Sequence, residues 1–184
     1  MDKVATVHGR FQGLHWGHME YLDAAKKRCE HLFIGITHPL IKLTNPAHNA
    51  YSVEETNPNR NLDSSNPFTY YQRYVMIKNS LLEYGFRQNE FDIIPFPIEN
   101  PDLLLQFIPS PARHYITIYD AWGEKKYNML RGLGLDVEIL WTRRNSERFT
   151  SGTEVRRRIR ANEDWVDLVP PAVFKFIQEN DLQI

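Results

Sequence analysis

The chain of 184 residues has a single cysteine, Cys29. One thiol forms no internal disulfide and supplies no metal-site spacing, so the sequence reads as a protein of a reducing compartment. Cys29 falls in an amphipathic helical pattern and reads as a small buried hydrophobe. Long apolar runs are missing too: nowhere do about 18 apolar residues follow one another, as a membrane helix requires. The opening Met1-Asp2-Lys3 leads into a strand-like run with no secretory leader, which sets the expectation of a cytoplasmic protein. Net charge is nearly absent, −1 at pH 7, so no global basic field advertises nucleic acid or an anionic membrane. What is there, 42% hydrophobic and 24% charged residues, suits one globular domain over residues 1–184 that buries its core without staples.

Short apolar, β-prone runs recur at residues 4–8, 31–36, 91–95, 115–119 and 137–141. Between them lie helical spacings. Residues 18–29 place Met19, Leu22, Ala25 and Cys29 on one face, and residues 69–84 do the same with Tyr74, Ile77, Leu81 and Leu82 before a stop at Gly85. Residues 125–133 read as a shorter helix, and 153–161 and 172–179 as two more at the carboxyl end. This alternation predicts an α/β fold: a Rossmann-like doubly wound parallel sheet of about five strands with C-terminal helices. In such sheets ligands bind beyond the carboxyl ends of the strands, at the switch in strand order. Residues 38–67 break the pattern, being polar, aperiodic and rich in Asn, Pro and Ser. They read as an inserted loop serving as a lid or partner contact.

At the carboxyl end of the first strand stands HGRFQGLHWGH, residues 8–18. Gly9 lets the chain leave the strand, and Gly13 and Gly17 allow close backbone approach. His18 lies in the first turn of the next helix, where free N–H groups and the helix dipole favour an anion. His15 and His18, three apart, point the same way if the turn is helical. Two imidazoles, an arginine and three glycines there suit a transferring phosphoryl group. A metal would need a third ligand, and no nearby Cys, Asp or Glu has the spacing. One His capping and the other packing is the bland reading, which this combination outweighs. A second candidate is TSGTEVRRR, residues 150–158. Ser151 or Thr153 caps a helix whose first N–H groups bind phosphate, and Arg156 reaches the same end with a bidentate fork. Alone, that stretch reads as a capped, solvated basic helix.

The two stretches together identify the chain as a member of the nucleotidyltransferase superfamily. His15-Trp16-Gly17-His18 resembles its HxGH signature, and Ser151–Arg156 its SGTxVR (ISSTxIR-like) triphosphate motif. More narrowly, residues 9–18 resemble the GRFQPxHxGH form of archaeal-type nicotinamide mononucleotide (NMN) adenylyltransferases, with Gly13 and Leu14 where that branch has Pro and its neighbour. Asn66-Pro67-Phe68-Thr69 with Gln72-Arg73 is similar to the branch's DPFTxxER segment.

The resemblance implies adenylyl transfer from ATP to a phosphorylated acceptor, NMN or nicotinic acid mononucleotide first, with release of pyrophosphate. It implies His15, His18 and Arg156 as the catalytic set. Gly9, Arg10, Phe11, Gln12, Gly17, Ser151, Gly152 and Thr153 would bind ATP, and Asp120, Trp122 and Arg73 the acceptor. Magnesium would arrive on the substrate phosphates, with no protein metal site. By analogy with relatives the expected partners are these small molecules and further copies of the chain, without membrane or nucleic acid.

Three departures touch the acceptor. Ser65 stands where the branch has an arginine, with Arg60 or Arg73 as substitutes. Leu104 stands near the place of a tryptophan that stacks on nicotinamide. Asp120-Ala121-Trp122 replaces a Ser-Gly-Asn. Two alternatives therefore stay open: adenylyl or cytidylyl transfer to another phosphorylated acceptor, and a nucleotide- or RNA-binding relative without catalysis. A triphosphate motif usually closer to RTxGISTT weighs against the cytidylyl version.

Overall fold

The computed structural model describes residues 1–38, 62–182 and 184. Five strands form one sheet in which every pairing is parallel, in the order β3-β2-β1-β4-β5. These are β1 (Asp2–Gly9), β2 (Cys29–Ile36), β3 (Phe91–Pro95), β4 (Arg113–Ile118) and β5 (Asp136–Thr142). Among the described residues six α-helices accompany them: α1 (Trp16–Lys26), α2 (Tyr70–Tyr84), α3 (Pro101–Leu104), α4 (Ala121–Gly132), α5 (Gly152–Arg160) and α6 (Pro171–Glu179). The fold is the expected Rossmann-like α/β sheet.

The strands are apolar without alternation because both faces of the sheet are covered. Successive strand residues point to opposite faces, and β4 shows it: Tyr115 joins one apolar cluster, Ile116 and Ile118 the other. The first cluster takes Leu22 from α1, Leu81 from α2, Val155 from α5 and Val173 from α6 against Ala5, Val7, Leu32 and Ile34. The second takes Leu104 from α3 and Leu130 from α4 with Phe96 and Val137. Burying each such aliphatic side chain stabilises the fold by about 1.5–3 kcal/mol before entropy.

Helix ends depart from the periodic reading where local chemistry decides. Cys29 was expected on the first helix. That helix ends at Lys26, and Cys29 opens β2, buried, its Sγ 3.5 Å from the Ala25 carbonyl. The apolar spacing from Ala25 to Cys29 thus spans a helix end rather than a turn. α4 begins four residues before its expected start at 125, because the Asp120 carboxylate caps it, accepting from Gly123 N–H at 2.9 Å. α2 carries a reciprocal box between Thr69 and Gln72 and stops at Gly85, whose φ of 104° only glycine takes easily. Most of the loop expected at 38–67 lies outside the described residues. Its described end folds as a turn at Asp63–Ser65 leading to the buried Phe68.

From β1 the chain winds outward through β2 and β3, then returns beside β1 to lay down β4 and β5. The order therefore reverses between β1 and β4, and a crevice opens at their carboxyl ends.

Candidate active site

β1 ends at Gly9, and the next residues fold back tightly: Phe11 has φ 50° and Gly13 φ 83°. A phenylalanine in the left-handed region is strained and persists only where its surroundings hold it. They do. The Phe11 ring is 1% exposed. The buried Arg73 side chain donates to the carbonyls of Arg10 (2.8 Å), Thr37 (2.7 Å), His38 (2.9 Å) and Thr69 (3.3 Å). Gln12 pairs with the Phe68 backbone in both directions, at 3.0 and 2.9 Å. The ends of β1 and β2 are thus laced to the start of α2.

His15 occupies the N-cap position of α1, yet its side chain makes no capping bond. Its carbonyl instead accepts from His18 N–H at 2.8 Å and Met19 N–H at 3.1 Å. That turn lays the two imidazoles against each other, centroids 3.8 Å apart and 26° from parallel. Gly17 leaves them room: a Cβ there would sit 3.1 Å from the His15 ring, tighter than side chains usually pack.

Burial lowers the His15 pKa to about 3, with Arg148 and Arg156 adding to it. His18 is held well below its ordinary value, by burial first and then by His15, Arg148 and Arg10. Both rings are therefore neutral near pH 7. The Nδ1 atoms of both lack a hydrogen-bond partner within the protein.

α5 arrives opposite. The Ser151 hydroxyl caps it, accepting from Glu154 N–H at 3.2 Å, so Ser151 rather than Thr153 takes the cap. Arg156, 4% exposed, donates to the Gln12 carbonyl at 2.6 Å and lies 3.4 Å from the Thr153 hydroxyl. Burial lowers its pKa to about 10, which leaves it charged at neutral pH.

A cavity of about 290 Å³ lies between these parts. Gly9, Arg10, Phe11, Gln12, His15, His18, Ser151, Gly152, Thr153 and Arg156 line it from the first two motifs, and Asp120 and Trp122 from the start of α4. A second cavity of about 160 Å³ adjoins it, lined by Gly17 and by Tyr21, Tyr119, Trp141 and Phe149. Arg73 lines neither and lies in the interior as a tie between carbonyls. The arginine substitute considered at residue 60 lies outside the described residues. Sequence reasoning missed Lys126 and Arg148, which line the larger cavity. Arg148 stands three residues before the Ser151 cap, the one signal that could have marked it. Four cationic side chains, three helix N-termini and two neutral imidazoles thus face a space with one carboxylate on its wall, Asp120. That arrangement suits a polyanion.

Residues 6–158 match the model of a protein family described as cytidylyltransferase-like. Among curated proteins the chain is 42% identical to a phosphonoformate cytidylyltransferase of Streptomyces viridochromogenes over 96% of this chain and 91% of that protein. It is 30% identical to a nicotinamide-nucleotide adenylyltransferase of Saccharolobus solfataricus, over 93% of this chain and 87% of that one. Among solved structures it superposes on a bifunctional NMN adenylyltransferase/ADP ribose pyrophosphatase from Francisella tularensis with a TM-score of 0.67 at 17% identity. That match takes in 99% of this chain and 52% of the other, about half its length, and speaks to the fold.

Proposed function

The chain belongs to the cytidylyltransferase-like family of nucleotidyltransferases, and from that premise we propose that it transfers a cytidylyl group from CTP to a small phosphonate acid. The observation that carries this reading is Leu104. It stands near the place of the nicotinamide-stacking tryptophan and is 0% exposed, packed into the second apolar cluster. Its side chain offers no ring face at that place, which favours a compact acid; the base of a mononucleotide would have to stack instead on Trp122, which lines the larger cavity from another direction. The 42% identity to a protein named for phosphonoformate supports the same choice. It also outweighs the expectation from motif wording that set cytidylyl transfer aside.

In this reading the base enters the smaller cavity between Tyr119, Trp141 and Phe149. The β- and γ-phosphates lie along Gly9–Gln12 and the start of α5, held by Arg156 and the N–H groups of Gly152 and Thr153. The acceptor crosses the larger cavity towards His15 and His18, with Lys126 on its wall. An ionised phosphonate oxygen attacks the α-phosphorus, forming one P–O bond. The bond to the β-phosphate oxygen breaks, and pyrophosphate leaves with its electron pair. The nucleophile needs no base, so catalysis is positioning and charge stabilisation. Among the described residues no three His, Cys, Asp or Glu side chains converge to hold a metal. Magnesium is proposed to travel on the triphosphate, screening its charge.

The test is pyrophosphate release with CTP or ATP, each paired with phosphonoformate, NMN or nicotinic acid mononucleotide. Turnover highest with CTP and phosphonoformate, and lost in His18→Ala, is the expected result. Turnover highest with ATP and NMN would reinstate the adenylyltransferase reading suggested by the Saccharolobus relative.

A further inference from the structure

The two cavities share six lining residues: Gly9, His15, His18, Thr117, Tyr119 and Arg148. A nucleoside triphosphate that places its base in one cavity and its pyrophosphate in the other must put its α-phosphorus where the two meet. Among the six, Arg148 alone carries a permanent charge.

Its surroundings suit a mobile cation. Arg148 sits on the segment between β5 and α5, its side chain 34% exposed. Its guanidinium rests over the Tyr119 ring, 4.0 Å from the centroid, and one nitrogen lies 4.0 Å from an Asp120 carboxylate oxygen. Neither contact is a close charge-assisted hydrogen bond, which would fix the group in place. Arg156, by contrast, is anchored to the Gln12 carbonyl at 2.6 Å. The field of Arg148 also reaches both His15 and His18.

We propose that Arg148 is a further catalytic residue, whose guanidinium leaves the Tyr119 ring to bind the transferring α-phosphate as the fifth bond to phosphorus forms. The proposal rests on the nucleotidyl-transfer reading of this site. It gives Arg148 a role distinct from Arg156, which holds the leaving pyrophosphate. Charge that develops on the α-phosphate oxygens in the transition state is met by a planar donor, and the departing bond weakens without any proton transfer.

The experiment compares wild type, Arg148→Ala and Arg148→Lys by pyrophosphate release, with circular dichroism melts and calorimetric CTP binding on each. Removing one such donor should lower kcat about a hundredfold and leave CTP affinity within about threefold. Arg148→Lys should keep part of the rate, because it supplies charge without the fork. Guanidinium chloride at low millimolar concentration should restore rate to Arg148→Ala and do nothing for wild type. Melting midpoints should coincide. A kcat close to wild type in Arg148→Ala would overturn the proposal. A loss carried wholly by CTP affinity would do the same, as would a loss that guanidinium leaves untouched and a lower melting point accompanies. A wild-type protein that binds CTP yet releases no pyrophosphate with any acceptor would overturn the functional reading and this inference with it.

Discussion

Replacing Gly152 with alanine tests whether the two motifs truly meet. A Cβ built there would lie 2.7 Å from the Gln12 carbonyl oxygen and 3.1 Å from Arg156 Nη1. These two atoms are the partners of the 2.6 Å bond that joins α5 to the loop after β1. The carbonyl cannot easily retreat, because the Gln12 side chain is pinned at both ends to the Phe68 backbone. α5 must therefore back away. Overpacking of this kind costs about 1–3 kcal/mol. Weakening a hydrogen bond to a charged group costs roughly 1.5–3 kcal/mol more. The better helix propensity of alanine returns up to about 1 kcal/mol. The net loss is about 1.5–6 kcal/mol, which for a chain of this size lowers the melting midpoint by roughly 3–24 °C. At a temperature where the variant is still folded, the CTP KM should rise at least about tenfold, since Arg156 no longer aims at the phosphates. Gly132→Ala is the control: nothing lies within 4 Å of the added Cβ at the end of α4, so stability should be unchanged or slightly higher. A Gly152→Ala protein with wild-type midpoint and wild-type CTP KM would refute the contact and the site built on it.

Three further outcomes follow from the same geometry. His15 has a folded pKa of about 3 against an ordinary 6.5, so the unfolded chain binds the extra proton and stability rises with pH between those values. From His15 alone, unfolding free energy measured by urea titration should be about 2 kcal/mol lower at pH 5 than at pH 7, and His15→Gln should flatten the slope. On the proposed reading, triphosphate binding should raise the pKa of both imidazoles and draw in protons as the pH is lowered, seen calorimetrically as a binding enthalpy that depends on the buffer's ionisation enthalpy. Arg73→Met should cost at least ~3 kcal/mol by stranding the carbonyls of Arg10, Thr37 and His38. In thermal melts with activity followed in parallel, the lost activity should track unfolding.

The fold was legible because both of its signals are local. Apolar β-prone runs and 3.6-residue spacing named each strand and five of the helices. α3 was missed because four residues, Pro101–Leu104, set up no period and rest on an Asn100 cap. Cys29 was misplaced because an i, i+4 spacing from Ala25 looks the same whether the helix continues or ends. The residues that line the larger cavity from the loop after β1 and the start of α5 were legible through two compact motifs rich in Gly, His and Ser. Arg148 and Lys126 were not, since surface-charged residues on a loop and a helix carry no pattern until the chain brings them to one cavity. Arg73 shows the opposite failure: its motif position suggested a ligand, whereas its donors are already spent on backbone carbonyls that only the folded strand ends present.

The bond between Arg156 and the Gln12 carbonyl joins residues 144 positions apart. A nascent chain therefore carries its glycine-rich loop, both imidazoles and the entire sheet before α5 completes the larger cavity. On the proposed reading, nucleotide cannot template the early stages of folding; it stabilises only the last one, the docking of α5. Ligand-dependent protection from proteolysis should then concentrate in α5 and in the segment running up to it from β5, and the sheet should resist cleavage whether or not nucleotide is present.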